Sequence, residues 1–177
     1  MIINEQNLGI IDNFRLAVES SIGELVVFVG ADNRITPDFI EKYLNVASKN
    51  PDAAIYCNDI IIFGPRASKL AGETNSSYIE KDRYQWRFPS PDNEAIDNLK
   101  DTNFMNCSSM YRRTWYDKVG GYKDNKKAED FDLFRRIVFA GGKPIHIPHA
   151  TFEYRQHSLE QANTVIQTEN IIADLQE

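Results

Sequence analysis

Leu25-Val26-Val27-Phe28-Val29-Gly30-Ala31-Asp32-Asn33 decides how this chain is read. The first five residues make an apolar run of strand length, rich in β-branched and aromatic side chains. A run apolar on both faces is typical of a central strand in a sheet covered by helices. Gly30 to Asn33 breaks it, so Asp32 is expected where a central strand ends, and open α/β sheets bind ligands outside the carboxyl ends of their strands. The same four residues also read as an ordinary turn, since Asp and Asn favour turns.

Outward from this strand, helices and strands alternate. Before it, Ile10, Phe14, Ala17, Val18 and Ser21 share one face at helical spacing, which predicts a helix over 10–22 stopped by Gly23. After it, Thr36-Pro37 opens a helix with Phe39, Ile40, Tyr43, Leu44 and Ala47 as its buried stripe, ended by Asn50-Pro51. Ala53 to Phe63 reads as a long strand closed by Gly64-Pro65. Over 64–102 the pattern dissolves into Gly, Pro, Ser, Asn and charges, as in a functional loop region. Within it, Tyr84, Trp86 and Phe88 are spaced to share one strand face, where they would either offer flat rings to a sugar or lipid or anchor the loop on the core. Phe104 to Tyr111 reads as a strand, and Thr114 starts a short helix that ends at Gly120-Gly121. A helix over 129–140 turns Phe131, Phe134, Ile137 and Val138 inward before Gly141-Gly142. Lys143 to Ile147 reads as a short final strand and 159–177 as a polar tail helix. The fold class is α/β, with 1–177 as a single domain.

The 177 residues, 42% hydrophobic and 26% charged, suit one buried core. Lys and Arg number 20 against 26 Asp and Glu, a net charge of -6 that lacks the basic excess of a nucleic-acid binder. No apolar run approaches the roughly 20 residues of a membrane span. Cys57 and Cys107 lie in apolar segments without metal-ligand spacing, and the start of the chain has no basic-then-apolar leader, so a cytoplasmic setting is expected.

Four features could carry chemistry. Asp32 is the first. Glu129 and Asp130 open a helix, where the macrodipole favours carboxylates and keeps them ionised at neutral pH; one of them could instead serve as a general base. His146, His149 and His157 fall close together in sequence, but no cysteine joins them and Pro148 breaks any helical face, which argues against a closed zinc site. His157, after Tyr154-Arg155, stands in a polar setting where an imidazole could meet a metal held mainly by other groups. The aromatic trio is the fourth.

Asn7-Leu8-Gly9-Ile10 with Asn13, then Ser21 through Phe28, Gly30-Ala31-Asp32-Asn33 and Thr36-Pro37-Asp38-Phe39 form one ordered set of motifs. Arg112-Arg113-Thr114, Val119-Gly120-Gly121-Tyr122, Glu129-Asp130-Phe131-Asp132-Leu133, Gly141-Gly142-Lys143 and Tyr154-Arg155-Gln156-His157 form a second. In this order they resemble the family 2 glycosyltransferases, in which Gly30 to Asn33 would stand at a motif read Asp-Ala-Asp-Asp. Here the first aspartate has become Gly30. The resemblance implies a partial A-type nucleotide-sugar fold, a mixed, mostly parallel sheet flanked by helices, similar to the carboxyl-terminal two-thirds of the catalytic domain and without its opening nucleotide-binding βαβ unit. The region 64–102 would be a variable acceptor-side loop.

It implies, further, transfer of a sugar from a nucleotide-diphosphate sugar to the hydroxyl of a saccharide or lipid-linked acceptor. The transfer would invert configuration, in bacterial polysaccharide or glycoconjugate synthesis, in the cytoplasm or on the inner membrane face. Asp130 would be the catalytic base with Glu129 in support. Asp32 and His157 would meet Mg²⁺ or Mn²⁺ on the donor side, with Gly30, Ala31 and Asn33 adjacent, and Arg112, Arg113, Tyr154 and Arg155 would line the acceptor side. Gly30 and the missing unit suggest as alternative a catalytically silent remnant that binds or assembles. A metal-dependent nucleotidyltransferase on a similar sheet is the third reading. A homo-oligomer or a complementing chain is the expected partner for an uncovered sheet edge.

Overall fold

Ala53–Phe63 is the strand around which everything else is arranged, and its sequence AAIYCNDIIIF is apolar on both faces except at Asn58 and Asp59. The computed structural model describes residues 2–100, 103–124 and 128–158; the expected tail helix lies outside the described residues. In chain order the elements are α1 (Gly9–Glu19), β1 (Leu25–Val26), β2 (Arg34–Ile35), α2 (Phe39–Lys49), β3 (Ala53–Phe63), α3 (Ala67–Gly72), β4 (Ser76–Glu80), β5 (Arg83–Trp86), α4 (Asn93–Asp97), a 3₁₀ turn (Asn98–Lys100), β6 (Met110–Arg112), α5 (Arg113–Lys118), α6 (Glu129–Phe139) and β7 (Lys143–Arg155).

The sheet runs β1-β6-β3-β5-β4, with β7 pairing β3 and also β2. It is mixed and flanked by helices, as expected. The expectation of a mostly parallel sheet is corrected, because among the described strands only β3 with β7 is parallel and the other pairs are antiparallel. A tight hairpin returns β5 against β4, whereas a parallel neighbour needs a long crossover, which α6 supplies for β7.

Both faces of β3 are covered. On one, Ile55 and Cys57 meet Leu133, Phe134 and Ile137 of α6 together with Leu99, Phe104 and Met105. On the other, Tyr56, Ile60 and Ile62 meet Phe39 and Tyr43 of α2 and Phe152 of β7. Each such side chain, fully removed from water, contributes on the order of 1.5–3 kcal/mol. The α2 stripe is narrower than its sequence suggests: Phe39, Tyr43 and Ala47 are buried while Ile40 and Leu44 stay exposed. In α1 the inward face is Ile11, Phe14 and Val18, and Ile10 points to solvent.

Four further expectations change, the first being the strand read over Phe104 to Tyr111, of which only Met110–Arg112 forms β6. The stretch from Leu25 is no central strand: β1 has two residues and, among the described strands, pairs only with β6. Phe28 turns out of the sheet to pack on Phe14, ring centroids 4.4 Å apart. The stretch 64–102 holds a helix, a hairpin and further short helical segments. Tyr84 and Trp86 do share a face and pack with Phe88 against the second cluster, Trp86 stacked on Phe88 at 4.7 Å. The final strand does not stop at Ile147 but continues to Arg155. Pro148 is tolerated because Ile147 pairs with Asn58 and Phe152 with Ile60, so 148–151 bulge out opposite Asp59 where no ladder N–H is required.

Candidate active site

The long parallel strand β7 carries residues 154–157 past the turn at 30–33, and a group of hydrogen bonds joins the two. His157 Nε2 lies 2.9 Å from Asp32 Oδ2, with both side chains about two-fifths exposed (41% and 42%). The Asn33 Oδ1 accepts the main-chain N–H of Arg155 at 3.0 Å, and Arg155 Nε donates to the main-chain oxygen of Asp32 at 2.9 Å. Gly30 and Ala31 form the exposed lip of this turn. Asp32, Asn33, Arg155 and His157 are thus brought together from the two ends of the described chain.

Glu129 and Asp130 begin α6. Asp130 is half-buried, and its Oδ1 accepts the N–H of Phe131 at 2.6 Å. Burial and then the neighbouring Glu129 charge push its carboxyl up to about 6, against the smaller lowering by main-chain N–H groups. Asp130 thus stays ionised at neutral pH, but desolvation and like charge bring its titration much closer to neutrality than the helix start alone would. The turn before α6 is held in place from within the helix. Arg136 pairs with the buried Asp132 at 2.7 Å and donates to the carbonyls of Val119 at 2.8 Å and Gly121 at 2.7 Å.

Cys107 links the two halves. It is exposed, yet desolvation first, and then the carboxylates of Asp130, Glu129 and Asp32, push its thiol up to about 12. The charges of the 30–33 turn and of the start of α6 thus both act on a thiol in the turn 106–109. That turn is fixed from below. Asn106 Nδ2 donates to the Asn58 main-chain oxygen at 2.6 Å, Asn106 Oδ1 accepts the Ser108 N–H at 3.0 Å, and Ser108 Oγ bonds both Asn106 Oδ1 and Asn58 Oδ1.

The remaining candidates go elsewhere. Arg112 donates to the carbonyl of Ala53 at 2.9 Å and to the Tyr56 hydroxyl at 2.9 Å. Arg113 donates to the carbonyls of Gly23 at 2.8 Å and Val18 at 3.0 Å and to Ser21 Oγ at 2.6 Å, closing the end of α1. Tyr154 packs on the second cluster, on the covered face of the sheet. The three histidines separate: His149 is exposed on the bulge, while His146 Nε2 lies 3.0 Å from Asp59 Oδ1. Asp59, 3% exposed, also accepts the Phe88 N–H at 3.0 Å and Gln85 Nε2 at 3.3 Å. Sequence reasoning passed over it, although a carboxylate inside an apolar strand was itself the signal. An open hollow lined by Asn4, Asn7, Leu8, Gly9, Ile10, Asn13 and Phe14 contains no titratable side chain.

For a divalent cation, Asp32 and His157 offer one carboxylate and one imidazole. Among the described residues no third His, Cys, Asp or Glu joins them to complete a protein-only cage. The pair fits the pattern in which one or two protein groups hold Mg²⁺ or Mn²⁺ and substrate phosphates and water supply the rest. Among the described residues no helix is long and apolar enough to cross a membrane.

A family model described as glycosyl transferase family 2 matches residues 1–120. The match takes in Asp32, Cys107, Arg112 and Arg113 and ends before Asp130 and His157. No curated protein matches the chain.

Proposed function

The chain belongs to glycosyl transferase family 2, whose enzymes move sugars from nucleotide sugars, and on that premise we propose that Asp130 and the Asp32–His157 pair form the two sides of one transfer site. What supports this most is the meeting of Asp32 with His157 at 2.9 Å, together with the Cys107 thiol, which the charges of Asp32, Glu129 and Asp130 all raise. A donor held at Asp32 would then lie within reach of an acceptor facing α6.

Asp130 takes the proton from the acceptor hydroxyl as that oxygen attacks the anomeric carbon from the face opposite the leaving nucleoside diphosphate, so configuration inverts. A carboxyl titrating at about 6 is ionised at neutral pH and is a stronger base than an ordinary aspartate. Glu129 raises that basicity by its own charge. Asp32 and His157 would hold Mg²⁺ or Mn²⁺, which when bound neutralises charge on the departing diphosphate. Gly30 and Ala31 leave the turn low enough for the donor to approach its backbone. The acceptor is the hydroxyl of a saccharide or a lipid-linked sugar, in polysaccharide or glycoconjugate synthesis.

Glycine at position 30, in place of a carboxylate, favours a second reading in which the fold binds without turnover. Release of nucleoside diphosphate from UDP-, GDP- and dTDP-sugars with Mn²⁺ separates the two. Release that is lost with EDTA, with Asp32→Ala and with Asp130→Asn supports transfer. Metal-dependent binding of the nucleotide without release, in parent and variants alike, supports the second reading. His157→Ala is expected to weaken the metal dependence at an unchanged melting temperature, because its side chain is 41% exposed.

A further inference from the structure

The bonds that Arg155 makes to Asn33 and to the Asp32 main chain have no part in the mechanism above, yet they adjoin the residues that do. Asn33 Oδ1 accepts the Arg155 N–H at 3.0 Å on one side of the turn, and Arg155 Nε donates to the Asp32 oxygen at 2.9 Å on the other. Asp32 and His157 meet beside these fastenings, at 2.9 Å. Gly30 completes the arrangement: a Cβ there would lie 2.7 Å from Asn33 Nδ2 and 3.0 Å from Asp32 Oδ1. An Asn33 amide turned back toward Arg155 and a side chain at position 30 therefore compete for the same space.

We propose that Asn33 and Arg155 are positioning residues that hold Asp32 and His157 together for a divalent cation, and that position 30 is glycine because this clip fills the room a first carboxylate would need. The inference rests on the donor-side reading given above. An exposed turn left to itself samples many conformations, and gathering two ligands from it costs that freedom at every binding event. The clip meets the cost during folding, so the site loses little by lacking a carboxylate at position 30. Arg155 accordingly acts on the donor side.

The consequence runs against simple motif repair. Gly30→Asp, which restores the family's aspartate, is expected to weaken cation binding, because the new side chain drives the Asn33 amide off Arg155. Mn²⁺ alone is the probe, titrated into the full chain and followed by its electron paramagnetic resonance signal, with hydrogen exchange at the Arg155 amide read in parallel. Asn33→Ala and Gly30→Asp are each expected to weaken Mn²⁺ binding about 10- to 100-fold, the range for groups that orient metal ligands, and to expose the Arg155 amide. Asn33→Asp, which keeps the accepting oxygen, is expected to retain both the protection and the affinity. Adding Gly30→Ala to Asn33→Ala is expected to cost less than the two separately, since they share the Asn33 contact and only the 3.0 Å approach to Asp32 Oδ1 remains.

Tighter Mn²⁺ binding in Gly30→Asp overturns the clip and leaves the donor reading standing. So does an unchanged affinity in Asn33→Ala while the Arg155 amide exchanges freely. A parent that binds no Mn²⁺ overturns the donor reading itself and the purpose of the clip with it, even where exchange shows the clip intact.

Discussion

At Asp130 two effects oppose each other. The helix start and its N–H groups favour the carboxylate, while burial and Glu129 favour the neutral acid and prevail, raising the carboxyl to about 6 from 3.8. A raised folded-state value means that the neutral form suits the fold better. That stability is fully present below the unfolded value and is lost as pH rises through about 6. At neutral pH ionised Asp130 is therefore a cost to the fold. Asp130→Asn is expected to stabilise the protein above pH 6 on the order of 1–3 kcal/mol, seen as a melting-temperature rise of a few degrees that vanishes in acid. The same variant is expected to lower turnover by about 10²- to 10⁴-fold. A carboxylate that merely served the helix dipole would do the reverse, losing about 0.3–1 kcal/mol with turnover intact. The parent's activity is expected to fall on the acid side with a midpoint near 6, the value at which the base is half protonated. The acidic pair was visible in the sequence, but its titration was not, because desolvation depends on residues far along the chain.

Among elements, β3 was legible from end to end and β7 was not. An unbroken apolar run marks a strand buried on both faces, whereas β7 is interrupted by Pro148 and a bulge and reads as two unrelated pieces. Of the β4–β5 hairpin only β5 showed itself, through the alternation of Tyr84 and Trp86; β4 escaped because its residues are mostly exposed and polar. Asp59 ties β3 to His146 of β7, to Gln85 of β5 and to the Phe88 N–H that follows β5. Asp59→Ala leaves those donors buried and unpaired, and urea unfolding is expected to show a loss of about 2–4 kcal/mol. Helix α6 approaches β3 closely where the chain turns from α6 into β7. A Cβ on Gly142 would lie 2.5 Å from Ile137 Cγ2 and 2.9 Å from Ala54 Cβ. Gly142→Ala is therefore expected to cost about 1–3 kcal/mol by forcing the helix off the strand. Neither substitution touches the Asp32–His157 pair, so Mn²⁺ affinity should stay at the parent's value in both.

The whole molecule is two apolar clusters on one shared strand, with the chemistry at the ends of that layer. Because both clusters rest on β3, neither should melt alone. Phe39→Ala and Phe134→Ala, one in each cluster, are expected to cost about 3–5 kcal/mol apiece and each still to give a single urea transition. Two separated transitions would show that the faces fold independently. At this scale the sequence order of the motifs pointed to Asp32, Asp130 and His157, but Asp32 and His157 are separated by 125 positions, and the register of β7 on both β2 and β3 brings them face to face. That register passes through the bulge, in which four residues, 148–151, stand against the single Asp59. Side chains alternate across a strand with a period of two. Removing one residue from the bulge would slide everything beyond it by one step, put Gln156 where Arg155 now stands and turn His157 to the opposite face. The bulge can therefore exchange its residue types with some latitude, but any insertion or deletion of an odd number of residues there would disconnect the two ends of the site while leaving the core that supports them whole.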